Sequence, residues 1–500
     1  MFSVLRTSGL ARRGLNRSRR GFLAVVIGVL AAFAVLEAAS AEPASAAGGR
    51  PNLLVIMTDQ QHAGMMSCAG NEYVSTPAMD SLAATGTRFE MAYAANPVCM
   101  PSRVSMMTGQ MPSRFGMRSN AEGRNQAPPA AIKEAMGWIF RNAGYETAHG
   151  GKTHWLRGMT PESIGFENLI GGQREGLAET CVRFLSQKRQ KPFLLVASFI
   201  NPHDICYMAI DDYTEAEGKP VMYAQSRTER ERLAAALKLP EGVSREDFFA
   251  RLCPPLPGNF EIPALEPECI TDEYVRARTF REYARTRWSD ERWRLHRWAY
   301  CRLTEMVDAH IAKVLEALRR AGLEESTVVV FTSDHGDHDA AHRLEHKSIP
   351  YEEAARVPLI VSFKGVTRPG LVNTEHPVSV GLNLIPTLCD YAGIEPPPSL
   401  TGRSVRPLAE GRPVESWPDQ VVVETKAGRM VRSGRFKYVV YESGEHREQL
   451  IDLASDPGEM VNLAEDPDYR NVLLDHRQRI RRWVETTNDE IARPYVTSGE

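Results

Sequence analysis

Four short segments with the composition of buried strands constrain the fold of this chain more than any other feature. The segments are NLLVIMT from Asn52, ETAHGG from Glu146, KPFLLVASFIN from Lys191 and STVVVFTS from Ser326. Mostly apolar runs of this length are typical of strands that are covered on both faces of a sheet. Helical patterns lie between them, most clearly at Ser289–Ala321. Alternating strands and helices predict an α/β fold: a large, mainly parallel sheet flanked by helices.

The pattern changes beyond about Arg403. Apolar and polar residues alternate between Gln420 and Pro457, with glycines at the turns, which predicts antiparallel strands followed by a helix over 467–488. We therefore predict a main domain over 50–402 and a smaller α+β subdomain with an antiparallel sheet over 403–500. Residues 207–287 are more charged and less periodic, and we predict that they form an insertion near the rim of the functional site.

The first 41 residues have the features of an export signal. The sequence SRRGFL at Ser18–Leu23 resembles a twin-arginine signal, and Ala39–Ala41 suits a signal peptidase. The apolar run from Gly21 to Leu36 is short for a membrane span. We expect export to the periplasm or the extracellular space, with no stable membrane span after cleavage. An uncleaved membrane anchor is the alternative.

The net charge and the number of cysteines exclude two classes of protein. Without residues 1–41 the chain has 54 basic and 62 acidic residues, a net charge of -8, which argues against a nucleic-acid partner. Eight cysteines in 500 residues are too few for a disulfide scaffold, so we expect mostly buried small side chains. Cys253 and Cys269 are the candidate pair for a disulfide.

Each predicted buried strand ends in residues that are capable of chemistry. In open α/β sheets, ligands bind beyond the carboxyl ends of the strands. These ends carry Asp59 and Gln60, then Lys152 and His154, then His203, and finally Asp334 and His335. Carboxylate and amide oxygens with one imidazole suit a hard divalent cation such as Ca²⁺ or Mg²⁺. The sequence therefore predicts a cation site at this edge of the sheet.

Further motifs resemble one enzyme family. Cys99-Met100-Pro101-Ser102-Arg103 followed by Thr108-Gly109 is similar to the sulfatase signature C-x-P-S-R-x-x-x-x-T-G. Gly151–His154 resembles the G-K-x-H element of the same family, and Lys347 resembles its second sulfate-binding lysine. The likeness is to the formylglycine-dependent sulfatases of the alkaline phosphatase superfamily, and it makes the main domain over 50–402 the catalytic domain.

The resemblance implies a modified Cys99. In this family a formylglycine-generating enzyme oxidises that cysteine to formylglycine (3-oxoalanine), whose aldehyde hydrates to a geminal diol. One hydroxyl attacks sulfur, and the other later expels sulfate as the aldehyde forms again. A thiolate nucleophile is disfavoured, because a catalytic cysteine needs an adjacent base rather than a cation with hard oxygen ligands. Residues from about Ser102 to Thr108 are expected to form a helix whose N-terminus faces the anion.

The resemblance also implies roles for the remaining residues. One divalent cation, with Ca²⁺ favoured over Mg²⁺, would be held by Asp59, Gln60, Cys99, Asp334 and His335. The expected catalytic residues are Cys99, Arg103 on the diol, Lys152 and Lys347 on the sulfate oxygens, His154 as the base that drives sulfate expulsion, and His203 as the acid for the leaving alcohol. His342 matches a recurrent histidine of the family and is expected to contact substrate, while Asp337, His338 and His346 are expected at surface or supporting positions.

Three functions stay open at this point. The first is hydrolysis of sulfate monoesters, with a sulfated carbohydrate favoured over aryl sulfates and choline sulfate. The second is hydrolysis of phosphonate monoesters or phosphodiesters, since related hydrolases share the Gln and His departures seen at Gln60 and His335. The third is a pseudoenzyme that binds sulfated glycans without turnover, which the intact Cys99, Arg103 and Lys152 argue against.

Overall fold

The structure is a computed structural model that describes residues 49–171, 176–220 and 225–496. The predicted export signal over 1–41 lies outside these ranges. Within them, no helix has the length and the apolar character that crossing a bilayer requires.

One large sheet dominates the described part of the chain. Its strands run in the order β5-β4-β6-β1-β7-β8-β2-β9, and β5, β4, β6, β1 and β7 are parallel neighbours, whereas β8 is antiparallel to β7 and β2. The prediction of a large, mainly parallel sheet is confirmed. The strands of this sheet are β1 (Asn52–Asp59), β2 (Thr87–Phe89), β4 (Glu146–Gly151), β5 (Glu167–Gly171), β6 (Phe193–Pro202), β7 (Thr327–Ser333), β8 (Leu359–Ser362) and β9 (Leu371–Asn373), and β3 (Ala92–Tyr93) pairs with β10 (Val378–Ser379) in a separate ribbon.

Helices cover both faces of this sheet, because the central strands are apolar on both sides. Leu53, Val55 and Met57 of β1 face a core that includes α2, α4 and α12, while Leu54 and Ile56 face a core that includes α1, α5 and α10. The helices are α1 (Pro77–Thr85), α2 (Cys99–Thr108), α3 (Pro129–Lys133), α4 (Met136–Asn142), α5 (Leu177–Leu185), α6 (Tyr207–Ala216), α7 (Arg227–Ala236), α8 (Arg245–Asp247), α9 (Thr279–Arg287), α10 (Asp290–Arg320), α11 (Glu352–Ala355), α12 (Val380–Ala392), α13 (Arg406–Ala409), α14 (Arg470–Thr487) and α15 (Arg493–Val496).

The C-terminal part contains a second, antiparallel sheet, as predicted. Its strands pair in sequence order: β11 (Gln420–Glu424), β12 (Gly428–Ser433), β13 (Phe436–Tyr441) and β14 (Glu448–Asp452). Val431, Val440 and Leu450 pack on Ile480 and Val484 of α14, so one face of the sheet is covered by the final long helix. The domain boundary near residue 403 stays a prediction.

The charged segment 207–287 is largely helical where it is described. It contains α6 to α9 and two short π-helices, Phe248–Leu252 and Ile270–Val275. Seven of the eight cysteines are buried and Cys68 is half-buried, which agrees with small core side chains. All eight are free thiols, so the suggested disulfide between Cys253 and Cys269 is wrong: both side chains are buried singly.

Candidate active site

The four central strands bring the predicted polar residues to one edge of the sheet. In the order β4-β6-β1-β7 these strands are adjacent and parallel, so their carboxyl ends lie side by side. The residues at those ends are Lys152 and His154, His203, Asp59 and Gln60, and Asp334 and His335. The crevice beyond this edge is where open α/β sheets bind ligands.

Helix α2 delivers Cys99 to the same edge. The helix begins at Cys99, three residues earlier than predicted, and ends before Gly109, whose φ of 67° lies in the left-handed region. Pro101 is tolerated in the first turn because the N–H groups there have no partner within the helix. Cys99 is 1% exposed and occupies the first helical position, where the helix dipole favours negative charge.

Arg103, one turn along the helix, joins the strand ends. Its Nε donates to Asp334 Oδ2 at 2.7 Å, and its Nη2 donates to Asp59 Oδ2 at 2.9 Å. Its Nη1 donates to Ser198 Oγ at 2.7 Å and to the carbonyl of Lys152 at 3.0 Å. The guanidinium therefore uses its planar fork to fix two buried carboxylates in place.

Cationic and imidazole groups surround the Cys99 sulfur. Lys347 Nζ and His335 Nε2 each lie 3.1 Å from Sγ, and Asp59 Oδ1 lies at 3.8 Å. His154 and His203 also lie close enough to Cys99 to influence its charge or be influenced by it. Lys152 Nζ forms an ion pair with Asp59 Oδ2. The structure thus brings together ten of the eleven predicted site residues.

The electrostatic balance of this cluster favours an anion at position 99. Burial alone would raise the pKa of the Cys99 thiol, but Lys152, Lys347 and His335 outweigh burial and lower the pKa well below its usual value. His335 is in hydrogen-bond contact with the sulfur, so the structure supplies an adjacent base of the kind that a thiolate nucleophile needs. The thiolate alternative must therefore be tested by experiment.

The strand ends also offer ligands for a divalent cation. One ligand atom each from Asp59, Cys99, Asp334 and His335 lies within 4.8 Å of the others, and all four residues are buried. Gln60 adds an amide oxygen beside Lys347, at 2.6 Å from its Nζ. Two carboxylates, one amide and one imidazole fit a hard cation such as Ca²⁺, with Cys99 Sγ standing at the position of an oxygen of the oxidised residue.

Burial and two nearby lysines determine the protonation state of His203. Burial, followed by the charges of Lys152 and Lys347, lowers the pKa of His203 to about 3. The imidazole is therefore neutral near neutral pH in the protein without substrate. Its ring also lies near Tyr207, the first residue of α6, so the segment over 207–287 begins beside the site.

His342 is the one predicted site residue that lies outside the cluster around Cys99. Its ring stacks on Tyr351 with centroids 3.9 Å apart, and a ring nitrogen lies within 4.8 Å of carboxylate oxygens of Glu353 and Glu459. His342 is fully buried, and a contact with substrate there stays a prediction.

Three neighbours of His342 were expected at surface or supporting positions. Asp337, His338 and His346 are all buried, so the surface alternative is wrong for each. Asp337 supports the site directly, because its Oδ2 accepts a hydrogen bond from Gln60 Nε2 at 2.7 Å.

Two residues that support the active site were not predicted from the sequence. Ser198 accepts from Arg103 and donates to the carbonyl of Lys152 at 2.8 Å. Tyr300 of α10 donates from its hydroxyl to the carbonyl of Gln60 at 2.6 Å. A lone hydroxyl inside the apolar run of β6 was the available signal for Ser198, whereas no local pattern marked Tyr300.

The geometry defines a class of site: a buried, cation-lined position for an anionic nucleophile at the carboxyl edge of a mainly parallel sheet. A family model described as Sulfatase matches residues 51–394, and a model described as N-sulphoglucosamine sulphohydrolase, C-terminal, matches residues 340–486. The first match covers more than half of the chain. The protein belongs to the sulfatase family and is a sulfatase, an enzyme that hydrolyses sulfate esters.

Individual relatives support this assignment over most of the chain. A Delta 4,5-hexuronate-2-O-sulfatase of Bacteroides thetaiotaomicron is 31% identical over 89% of this chain and 91% of its own length. An N-acetylglucosamine-6-O-sulfatase of the same organism is 25% identical over 88% of each chain. The solved structure of a 2-O GAG sulfatase is 28% identical, covers 88% of this chain and 93% of that chain, and superposes with a TM-score of 0.72.

Proposed function

We propose that this sulfatase removes sulfate from a sulfated carbohydrate by means of a formylglycine made from Cys99 and a bound Ca²⁺. The observation that carries the proposal is the environment of Cys99, where buried cations stabilise negative charge on a side chain at the start of α2. The similar proteins named above act on sulfated sugars by their descriptions, and they support a carbohydrate substrate.

The charges of the site match those of the reaction. A sulfate monoester is an anion that is attacked by an oxygen nucleophile, so negative charge collects on oxygens in the transition state. Preorganised cations in a site that excludes water lower such a barrier most effectively. Lys152 and Lys347 provide these cations near Cys99, and Arg103 holds the carboxylates of Asp59 and Asp334.

The residues at the site fit the divalent cation and the formylglycine aldehyde that the family implies. Asp59, Gln60, Asp334 and His335 would hold the cation, and Cys99 would carry the aldehyde. When bound, the cation and the hydrated aldehyde supply a polarised sulfate oxygen and an acidified hydroxyl nucleophile.

The protein side chains then position and exchange protons. Lys347 Nζ, 3.1 Å from Cys99 Sγ, and Lys152 Nζ, paired with Asp59, would bind sulfate oxygens. His154 would accept the proton of the second hydroxyl, since it lies beside the Cys99 side chain. Burial and the charges of Lys152 and Lys347 lower the pKa of His203 in the free protein, and His203 would donate a proton to the leaving alcohol once the bound anionic substrate offsets those charges.

The lysine pair also favours a sulfate monoester over a phosphodiester. A terminal sulfate presents three oxygens without a second ester group, and two ammonium groups can approach them from both sides. A diester would place a second alcohol against one lysine. Relatives that share 25–31% identity and are named as sulfatases point the same way.

A substrate panel tests the proposal. Protein made with a formylglycine-generating enzyme is incubated with 2-O-sulfated unsaturated uronate disaccharides, 6-O-sulfated N-acetylglucosamine, an aryl sulfate, choline sulfate and a phosphodiester. Free sulfate and the alcohol product are measured, with the Cys99→Ala variant as the control. Sulfate from one sugar that is absent in the control supports the proposal. Diester cleavage without sulfate release, or sulfate release by the Cys99→Ala variant, contradicts it.

We also propose that the chain is exported through the twin-arginine route, already folded and modified. Replacing Arg19 and Arg20 of the SRRGFL sequence by lysine should retain the enzyme in the cytoplasm. Fractionation of expressing cells, with sulfatase activity assayed in each fraction, is the measurement. Unchanged activity outside the cytoplasm would show that another route is used.

A further inference from the structure

Gln60 is held by contacts at every polar group. It is fully buried, and its φ of 68° lies in the left-handed region that non-glycine residues rarely adopt. Its backbone N–H donates to Asp334 Oδ1 at 3.1 Å, and its carbonyl accepts from the Tyr300 hydroxyl at 2.6 Å. The backbone is thus fixed from both sides, and the side chain extends to Lys347 and Asp337.

The hydrogen-bond polarity of the neighbours decides which way the amide faces. Lys347 Nζ lies 2.6 Å from Gln60 Oε1, and Asp337 Oδ2 lies 2.7 Å from Gln60 Nε2. An ammonium group can only donate, and an ionised carboxylate can only accept. Turning the amide over would place two donors against each other on one side and two acceptors on the other. The oxygen of Gln60 must therefore face Lys347, whose Nζ also contacts Cys99 Sγ.

We propose that Asp337 is a positioning residue that holds the Gln60 oxygen toward the catalytic cation. The proposal rests on the cation site proposed above, and it adds a residue outside the ligand set. Asp337 is itself fully buried, and its Oδ1 accepts from the backbone N–H of Asp339 at 2.8 Å. That second bond fixes the carboxylate, so Oδ2 stays aimed at the amide of Gln60. Partners of this kind tune cation affinity by orienting a ligand.

The pairing also explains why an amide can serve at position 60. A glutamate there would place a carboxylate against the Asp337 carboxylate at the distance of the present hydrogen bond. Two buried like charges so close destabilise each other. With asparagine at position 337, the N–H of Asp339 still needs an acceptor, so the asparagine oxygen faces Asp339 and its NH₂ faces residue 60. That NH₂ opposes a glutamine in its present orientation but donates well to a glutamate.

The test is a double-mutant cycle on cation affinity, which does not depend on turnover. Wild type, Gln60→Glu, Asp337→Asn and the double variant are stripped of metal and titrated with Ca²⁺ by calorimetry. The titrations are all run at about pH 8, well above the ordinary pKa of a carboxyl group, so that the four proteins are compared under one condition. Unfolding midpoints without metal show that each variant is folded.

We expect Asp337→Asn to change the Ca²⁺ affinity in opposite directions in the two backgrounds. In the wild-type background, Asp337→Asn should weaken Ca²⁺ binding about 10- to 100-fold, the range for such supporting residues. In the Gln60→Glu background, the same change should strengthen binding. A merely structural role for Asp337 would weaken binding in both backgrounds. Asp339→Asn, two residues away, is the matched control and should shift the affinity equally in both.

Failure of the inference and failure of the proposed function give different results. If wild type binds Ca²⁺ but Asp337→Asn shifts the affinity in the same direction in both backgrounds, or not at all, Asp337 does not position Gln60. If wild type binds no Ca²⁺, the proposed cation site and the positioning role both fail. Should Asp337→Asn not fold, Asp337→Ala replaces it, because removing the carboxylate must still relieve the repulsion in the Gln60→Glu background.

Discussion

Replacing Arg103 tests quantitatively whether this residue neutralises the cation ligands Asp59 and Asp334. A second buried arginine of the chain, Arg429, provides a matched control. Arg103 and Arg429 are each 1% exposed, and each donates four hydrogen bonds to carboxylate, hydroxyl or carbonyl oxygens. Arg103 binds Asp59 and Asp334 at the active site, whereas Arg429 binds Asp489 beside the C-terminal sheet. We consider Arg103→Met and Arg429→Met.

Both replacements should lower the free energy of unfolding by about 3–5 kcal/mol, the cost of leaving a buried carboxylate without its partner. They should differ in their response to Ca²⁺. Removing the charge of Arg103 leaves two cation ligands less neutralised, so Ca²⁺ should bind at least about tenfold more tightly, which adds about 1.4 kcal/mol of stabilisation at saturating metal. Arg429 lies with Asp489 and outside the cation ligands, so its variant should gain only what wild type gains.

Denaturant unfolding with and without Ca²⁺ measures the loss of unfolding free energy and the stabilisation by Ca²⁺. Sulfate release measures activity. Arg103→Met should be inactive even where it is folded, because the positive charge near Cys99 and the hydrogen bond that holds the Lys152 carbonyl are lost. Arg429→Met should retain activity where it is folded. The reasoning fails if Ca²⁺ stabilises both variants equally, or if Arg103→Met costs less than about 1 kcal/mol, as an exposed pair would.

Three further predictions concern a lysine, the cation and a buried carboxyl group. Lys347→Met should lower kcat/KM for sulfate monoesters by at least about 100-fold, the scale for one lost oxyanion contact. Lys188→Met, near the first residues of β1 and β6 and so at the opposite ends of the strands, should leave kcat/KM unchanged, and initial rates measure both. Chelation with EDTA should abolish sulfate release, and added Ca²⁺ should restore it, whereas full activity after exhaustive chelation would exclude a catalytic cation. Burial raises the pKa of Glu424 to about 7, so its native form stays protonated while the unfolded form ionises near 4.5, and this group lowers stability as pH rises between those values. Glu424→Gln should therefore gain up to about 3 kcal/mol relative to wild type between pH 5 and 8, and a constant difference in unfolding free energy would contradict the shift.

The main sheet and the site edge could be predicted from the sequence because their signals are local. Runs such as the one at Leu194–Ala197 are apolar on both faces, and such runs form strands that are covered on both sides. Parallel neighbours then bring Asp59, Lys152 and Asp334 to one edge without further information. The signature around Cys99 added the family, which spacing alone does not provide.

The remaining features depend on contacts between distant parts of the chain. Tyr300 meets Gln60 across 240 positions, and nothing near either residue indicates the contact. Asp337 and His338 are charged or polar and follow a strand, which favours a surface position, yet α10 and the C-terminal part cover this loop. The thiol environment of Cys99 was equally hidden, because His335 approaches the sulfur only after the strands have assembled.

The central claim is that the nucleophile is an oxidised Cys99, and one paired measurement tests it most directly. Protein is produced with graded amounts of a formylglycine-generating enzyme. In each preparation, mass spectrometry of the peptide that contains Cys99 gives the oxidised fraction, and ion chromatography gives the rate of sulfate release from the best sugar. We predict a rate proportional to the oxidised fraction and extrapolating to zero for unmodified cysteine. A full rate from protein whose Cys99 is entirely a thiol would contradict the account and assign the chemistry to the thiolate beside His335 and Lys347.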